Sequence, residues 1–206
     1  MLTMMPMAAC DGSNADPILP EQPGQPGNSD GGDEDDSTNP TNPIPGGNGR
    51  YLVLYCSRTG STERMAQQIQ QTLDCDILEV EPQTPYESDY NGMLNRAQEE
   101  LAAIRQGNYP AIKTSVEDFG NYDIVFVGYP IWYGSMATPM QTFLHNHASK
   151  LAGKRIALFA SSGSSGISAS VDEARTLCSG ATFTETLLLT SSTLSQMGNR
   201  IRTWLE

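Results

Sequence analysis

Residues 51–206 predict an α/β fold: a doubly wound parallel sheet of five strands with helices on both faces. Three observations carry this. Strand-type and helix-type hydrophobic patterns alternate through the whole stretch. Two of the strand patterns, 123–129 and 154–160, are apolar almost without a break, as strands covered on both faces are. Three of the loops that follow strands, 57–62, 129–135 and 161–166, are rich in glycine, hydroxyls or aromatic rings. That composition fits the place where such sheets bind ligands, beyond the carboxyl ends of their strands.

The first strand is Tyr51-Leu52-Val53-Leu54-Tyr55. It runs through Cys56 into the turn Ser57-Arg58-Thr59-Gly60-Ser61-Thr62, and then into a helical pattern with Met65, Ala66, Ile69 and Leu73 on one stripe. Strand, small hydroxyl-rich turn and helix together present the positive end of a helix to an anion. The turn has neither GxxxxGK[ST] nor GxGxxG, so it fits a single terminal phosphate held mainly by neutral donors. The competing reading is a turn whose hydroxyls merely cap the helix.

Residues 76–81 alternate polar and apolar, which suits a strand at the sheet edge. A helix is expected over about 89–106, with Met93, Leu94, Ala97, Leu101 and Ile104 at helical spacing and Gly107 as its stop. The apolar strand 123–129 closes at Pro130, and Ile131-Trp132-Tyr133-Gly134 forms a loop before a helix over 138–147. Strand 154–160, helix 167–179, strand 183–189 and helix 193–205 complete the series. Trp132 and Tyr133 offer a flat ring a stacking surface, although either alone more often packs the domain surface. His145 and His147, two apart on a helix, do not share a face and read as surface or packing residues.

Composition separates the N-terminal part from this domain. Of the 206 residues, 1–50 hold no aromatic residue, 8 of the 13 prolines, 8 of the 19 glycines and 8 acidic residues against the single basic Arg50. They contribute −7 of the net −12. Such a segment cannot bury enough apolar surface to offset the entropy of ordering it, so 11–49 reads as a disordered acidic linker and 50–206 as one domain. As a coil, 39 residues span on the order of 35 Å. The leader ends in Met7-Ala8-Ala9-Cys10, which resembles the end of a bacterial lipoprotein signal, with small residues before a cysteine that takes the lipid. Residues 1–10 lack a basic n-region and their apolar run is short, so they read as a truncated signal, with an arbitrary leader as the alternative. A lipid on Cys10 implies an extracytoplasmic domain tethered to the membrane; without it the expected location is cytoplasmic. The modest acidity of 51–206, with no basic run, argues against nucleic acid as a partner. Cys10, Cys56, Cys75 and Cys178 show neither CxxC nor zinc spacing, and no redox or metal role is assigned to them.

The motifs in this order resemble the flavodoxin family. Ser57-Arg58-Thr59-Gly60-Ser61-Thr62 matches its [ST]-x-T-G-x-T phosphate motif. Tyr129-Pro130-Ile131-Trp132-Tyr133-Gly134 resembles the Y-P-I-W-[WY]-G loop of a bacterial flavodoxin-like subgroup, as do Pro85-Tyr86 and Asp89-Tyr90-Asn91. Ser162-Gly163-Ser164-Ser165-Gly166 stands where the family's second flavin loop lies. The resemblance implies strand order 2-1-3-4-5 and non-covalently bound FMN. It places the phosphate on Ser57, Thr59, Gly60, Ser61 and Thr62, with Arg58 at the variable position, either adding charge or pointing to solvent. It lines one side of the flavin ring with Pro130, Trp132, Tyr133 and Gly134, and the other with Ser162, Gly163 and Gly166. No metal is expected.

The implied function is electron transfer through FMN, either as a carrier with a redox partner protein or as an NAD(P)H-dependent reductase of a small acceptor such as a quinone. A non-catalytic tethered module with weak or no FMN is the alternative. Neither ring loop contains Asp or Glu, which removes a repulsion against a reduced anionic flavin and argues against a low-potential carrier. A serine hydrolase is excluded, because 162–166 holds no G-x-S-x-G.

Overall fold

The computed structural model describes residues 50–206, and the expected leader at 1–10 and linker at 11–49 lie outside the described residues. The strands are β1 (Tyr51–Tyr55), β2 (Asp76–Glu79), β3 (Ile124–Trp132), β4 (Ser135–Met136), β5 (Arg155–Ser162), β6 (Thr182–Phe183) and β7 (Leu187–Thr190). The helices are α1 (Ser61–Leu73), α2 (Tyr90–Ile104), α3 (Thr138–His147), α4 (Ser168–Leu177) and α5 (Met197–Leu205), the last preceded by a 3-10 turn, Leu194–Gln196. None of these helices is long and apolar enough to cross a membrane.

The sheet runs β2-β1-β3-β5-β6, with β7 continuing along β5, and these pairs are all parallel. Counting β6 and β7 as one interrupted strand and setting the short β4 aside, this is the expected order 2-1-3-4-5. Successive side chains of a strand face opposite ways, and here both ways lead into a core. Leu52, Leu54, Val125, Val127, Ile156 and Leu158 pack with α2, α3 and α4 on one face. Val53, Tyr55, Phe126, Ala157 and Phe159 pack with α1 and α5 on the other. Burial on both faces is why the middle of β5, 156–160, and most of β3, 124–129, read as nearly unbroken apolar runs.

Three expectations need correction. The third strand does not close at Pro130 but continues through Ile131 and Trp132 into an antiparallel hairpin with β4. Proline is tolerated there because β1 pairs only as far as Gly128 and Cys56; on the side that β1 has left, Pro130 takes part through its carbonyl alone, which accepts the N–H of Ala137 at 3.1 Å. Secondly, the last strand is broken. Ile156 pairs with Phe183 but Phe159 with Leu187, so the outer strand holds one residue more than its partner, a bulge at a sheet edge. Thirdly, β2 ends at Glu79, two residues early, although Val80 N–H still reaches Tyr55 O at 2.6 Å.

Candidate functional site

The register brings the three loops together at one end of the sheet. Tyr55 lies beside Gly128, and Pro130 beside Ser161. The chain leaves β1 after Cys56, whose N–H donates to Gly128 O at 3.0 Å. It then turns at Gly60, where φ is 79°, a left-handed value that favours glycine. Gly60 is the N-cap of α1, and its carbonyl accepts the N–H of Arg64 at 3.0 Å. No side chain caps this helix. The N–H groups of Ser61, Thr62 and Glu63 therefore lack a partner within the helix, and the reading of the turn hydroxyls as helix caps is not what the structure shows.

The hydroxyls of the turn divide into two kinds. Ser57 and Ser61 are half-buried and Thr59 exposed, and none of the three is drawn into a side-chain hydrogen bond among the described residues. Thr62, 1% exposed, points inward instead and hydrogen-bonds with Ser161 at 2.8 Å. That bond fastens the first turn of α1 to the end of β5. Arg58 reaches away from the turn to the segment before α2. Its Nη2 donates to the carbonyls of Glu87, Ser88 and Asp89 at 3.2, 2.9 and 3.2 Å.

The second loop is the β3–β4 hairpin. Tyr133 and Gly134, at φ 52° and 80°, are its two turn residues, the signs a type I′ turn requires. The turn leaves Tyr133 51% exposed while Trp132 is 9% exposed. Trp132 and Tyr86 form a T-shaped ring pair, with ring centres 5.0 Å apart at 78°. Pro130 is half-buried on the strand beside Ser161. In the third loop, Ser162 Oγ is buried without a hydrogen-bond partner. Gly163 and Gly166 are exposed, and a Cβ at either of them, or at Gly134, would meet nothing within 4 Å.

Several residues that shape the site carry no local signal in the sequence. Glu173 Oε2 accepts the N–H of Met136 at 2.8 Å and Gln141 Nε2 donates to Met136 O at 2.7 Å; α4 and α3 thus grip the hairpin by its backbone. A carboxylate therefore reaches the hairpin although neither ring loop encodes one. Glu100, on α2, hydrogen-bonds with Tyr86 and Thr138 and pairs with Arg96 at 2.8 Å. Pro85-Tyr86 stood out by resemblance alone, and only the contact with Trp132 gives Tyr86 a role. The cysteines of this domain are buried, and desolvation raises the thiol pKa of Cys56, that of Cys75 to about 12 and that of Cys178 to about 11, which keeps them protonated and unreactive at neutral pH.

The donors present fit an anionic group joined to a flat ring: uncapped helix amides and unengaged hydroxyls at one loop, aromatic and glycine surfaces at its neighbours. The flavodoxin family profile matches residues 50–206, the whole described domain. The chain belongs to the flavodoxin family. Among solved structures it is similar to a protein of Bacteroides eggerthii DSM 20697 assigned as a flavoprotein, at 33% identity and a TM-score of 0.64, covering 76% of this chain and 95% of that one. A flavoprotein of Lactobacillus acidophilus NCFM, solved in complex with FMN, shares 26% identity at a TM-score of 0.58, over 72% of this chain and 97% of that one. No curated protein matches the chain. Within this flavodoxin-family domain, the hairpin and the α1 turn occupy the positions that the sequence motifs marked.

Proposed function

We propose that this chain binds FMN non-covalently and transfers electrons through it, as a carrier or as an NAD(P)H-dependent reductase of a small acceptor such as a quinone. The observation that carries the reading is the uncapped N-terminus of α1, with unengaged hydroxyls around it, at the same sheet end as the Trp132 hairpin. In the proposed role Ser57, Thr59 and Ser61 donate to the phosphate with the α1 amides, and the helix dipole favours its charge. Thr62 positions that turn through Ser161. Trp132, Tyr133, Pro130 and Gly134 present one wall to the ring; Gly163 and Gly166 leave room on the other, where Ser162 Oγ is free to donate. Bound FMN supplies the electron-transfer chemistry, and the protein supplies position and electrostatics.

Purified protein is expected to show flavin absorbance, or to gain it on addition of FMN. Failure to take up FMN sinks the proposal and leaves a binding module without cofactor. Ser57→Ala with Thr59→Ala is expected to weaken FMN by about a hundredfold or more, two hydrogen bonds to a charged group being lost. Steady-state NAD(P)H–quinone turnover separates reductase from carrier. A carrier gives none and is instead reduced reversibly by a partner reductase. We further propose that Cys10 bears lipid and tethers the domain outside the cytoplasmic membrane; an unmodified Cys10 in the mass spectrum of protein from the native host refutes this.

A further inference from the structure

Irregular backbone must still place its carbonyls somewhere, and the segment joining β2 to α2 does so in an unusual way. The carbonyls of Thr84 and Pro85 accept from Arg96, Nη2 at 2.9 Å and Nη1 at 2.8 Å. Those of Glu87, Ser88 and Asp89 accept from Arg58. Two guanidinium groups thus hold five carbonyls of a six-residue stretch. The residue between the two sets is Tyr86. Its hydroxyl bonds with Glu100 and Thr138, its ring lies 4.2 Å from the Arg96 guanidinium, and it forms a T-shaped pair with Trp132. The stretch ends at Asp89, whose side chain caps α2 by accepting Gly92 N–H at 2.7 Å. Gly92 has to be small, since a Cβ there would lie 2.6 Å from Asp89 Oδ2 and 3.0 Å from Glu87 Cβ.

We infer that Arg58, although it sits inside the phosphate motif, is a positioning residue that ties the phosphate turn to the 84–89 segment and through Tyr86 to Trp132, and is not a ligand of the phosphate. The inference rests on the FMN reading above. Arginine suits the task because its planar fork serves several acceptors from one fixed position, which a lysine ammonium does less well. The consequence is mechanical: movement of 84–89 shifts Trp132 and the α1 turn together, so both ends of the cofactor site feel the loss of Arg58.

The test compares FMN with riboflavin, which has the ring but no phosphate, by fluorescence titration of the full chain with wild type, Arg58→Met and Arg58→Lys. In a positioning role both variants lose affinity for both flavins by a similar factor, about threefold or more, so the ratio of the two affinities stays near that of wild type. A phosphate ligand would lose FMN affinity alone in Arg58→Met and recover most of it in Arg58→Lys, and that pattern overturns the inference. So do unchanged affinities. Amide exchange of the flavin-free proteins reads the same point without any ligand: Gly92 and Met93, whose N–H groups donate to Asp89, are expected to exchange about tenfold faster in Arg58→Met while β1 and β3 keep wild-type rates. Unaltered exchange at 92 and 93 also overturns it. A wild-type chain that binds no flavin defeats the proposed function, yet leaves the exchange result to decide the role of Arg58.

Discussion

Gly128 lies in the middle of β3, flanked by Val127 and Tyr129, and opposite Phe159 on β5. A Cβ there would lie 2.1 Å from Phe159 Cζ, so the ring occupies the space that glycine leaves. Gly128→Ala must push Phe159 out of the α1–α5 core and is expected to cost at least about 1–3 kcal/mol in urea unfolding. Phe159→Leu in the same chain should recover part of that loss. His147 makes a different demand. It is buried, its Nδ1 donates to Phe143 O at 2.9 Å and its Nε2 accepts Val116 N–H at 3.2 Å, which only the neutral ring can do. Burial lowers its pKa from 6.5; the bond to Phe143 opposes this, Lys150 adds to it and Glu117 opposes it. The unfolded chain therefore takes up a proton that the folded chain refuses. Stability from this residue is complete above about pH 6.5 and declines as pH falls below it. His147→Gln is expected to flatten that part of the stability–pH curve in urea titrations, and an unchanged slope would show that other groups set it. That His145 and His147 do not share a face was legible from their spacing. That one stacks on Tyr109 at 3.8 Å while the other is buried against Phe143 was not, because Tyr109 comes from a distant part of the chain.

Among the elements, the β3–β4 hairpin is the one whose form depends most on its surroundings. Its two-residue turn is locally encoded by Gly134, but a two-strand ribbon alone is marginal in water. Glu173 and Gln141 hold Met136 from two helices, and Tyr86 buttresses Trp132 from a third element. Glu173→Ala is expected to leave the Met136 N–H without its charged acceptor, a loss of about 1–3 kcal/mol, with faster amide exchange at 131–136. Glu173→Gln keeps an acceptor and should retain most of the protection; equal effects of the two would mean that packing alone holds the hairpin. The helices α1 and α3 were legible almost to the residue, since apolar stripes and the flanking glycine or proline mark them. The continuation of β3 past Pro130 and the bulge between β6 and β7 were not. Each depends on where a neighbouring strand stops or slips, and that is written in the partner.

At the scale of the described domain, residues 50–206, one sheet separates two cores, and each holds a tryptophan. Trp132 packs with the α2–α3–α4 core, and Trp204 lies against Phe126 and Phe159 in the α1–α5 core. Because β1, β3 and β5 contribute alternate residues to both, neither core can form without the shared strands. Unfolding followed through Trp132 in Trp204→Phe and through Trp204 in Trp132→Phe should each show a single transition. Leu144→Ala on one face and Ile69→Ala on the other are each expected to lower stability by about 2–5 kcal/mol as seen by either tryptophan. A core that melts separately, with its own tryptophan as the only reporter, would refute the shared-strand account. By itself, the sequence determined the α/β class, the five-strand parallel order through its family resemblance, and the three loops of the candidate site, because hydrophobic period and turn chemistry are local properties. Only the tertiary structure decided that Thr62 turns inward to Ser161, that Arg58 holds the 84–89 carbonyls, and that Glu173 and Tyr86 brace the hairpin. Those are contacts between residues 29 to 99 positions apart, and no local pattern records which distant partner a side chain will meet.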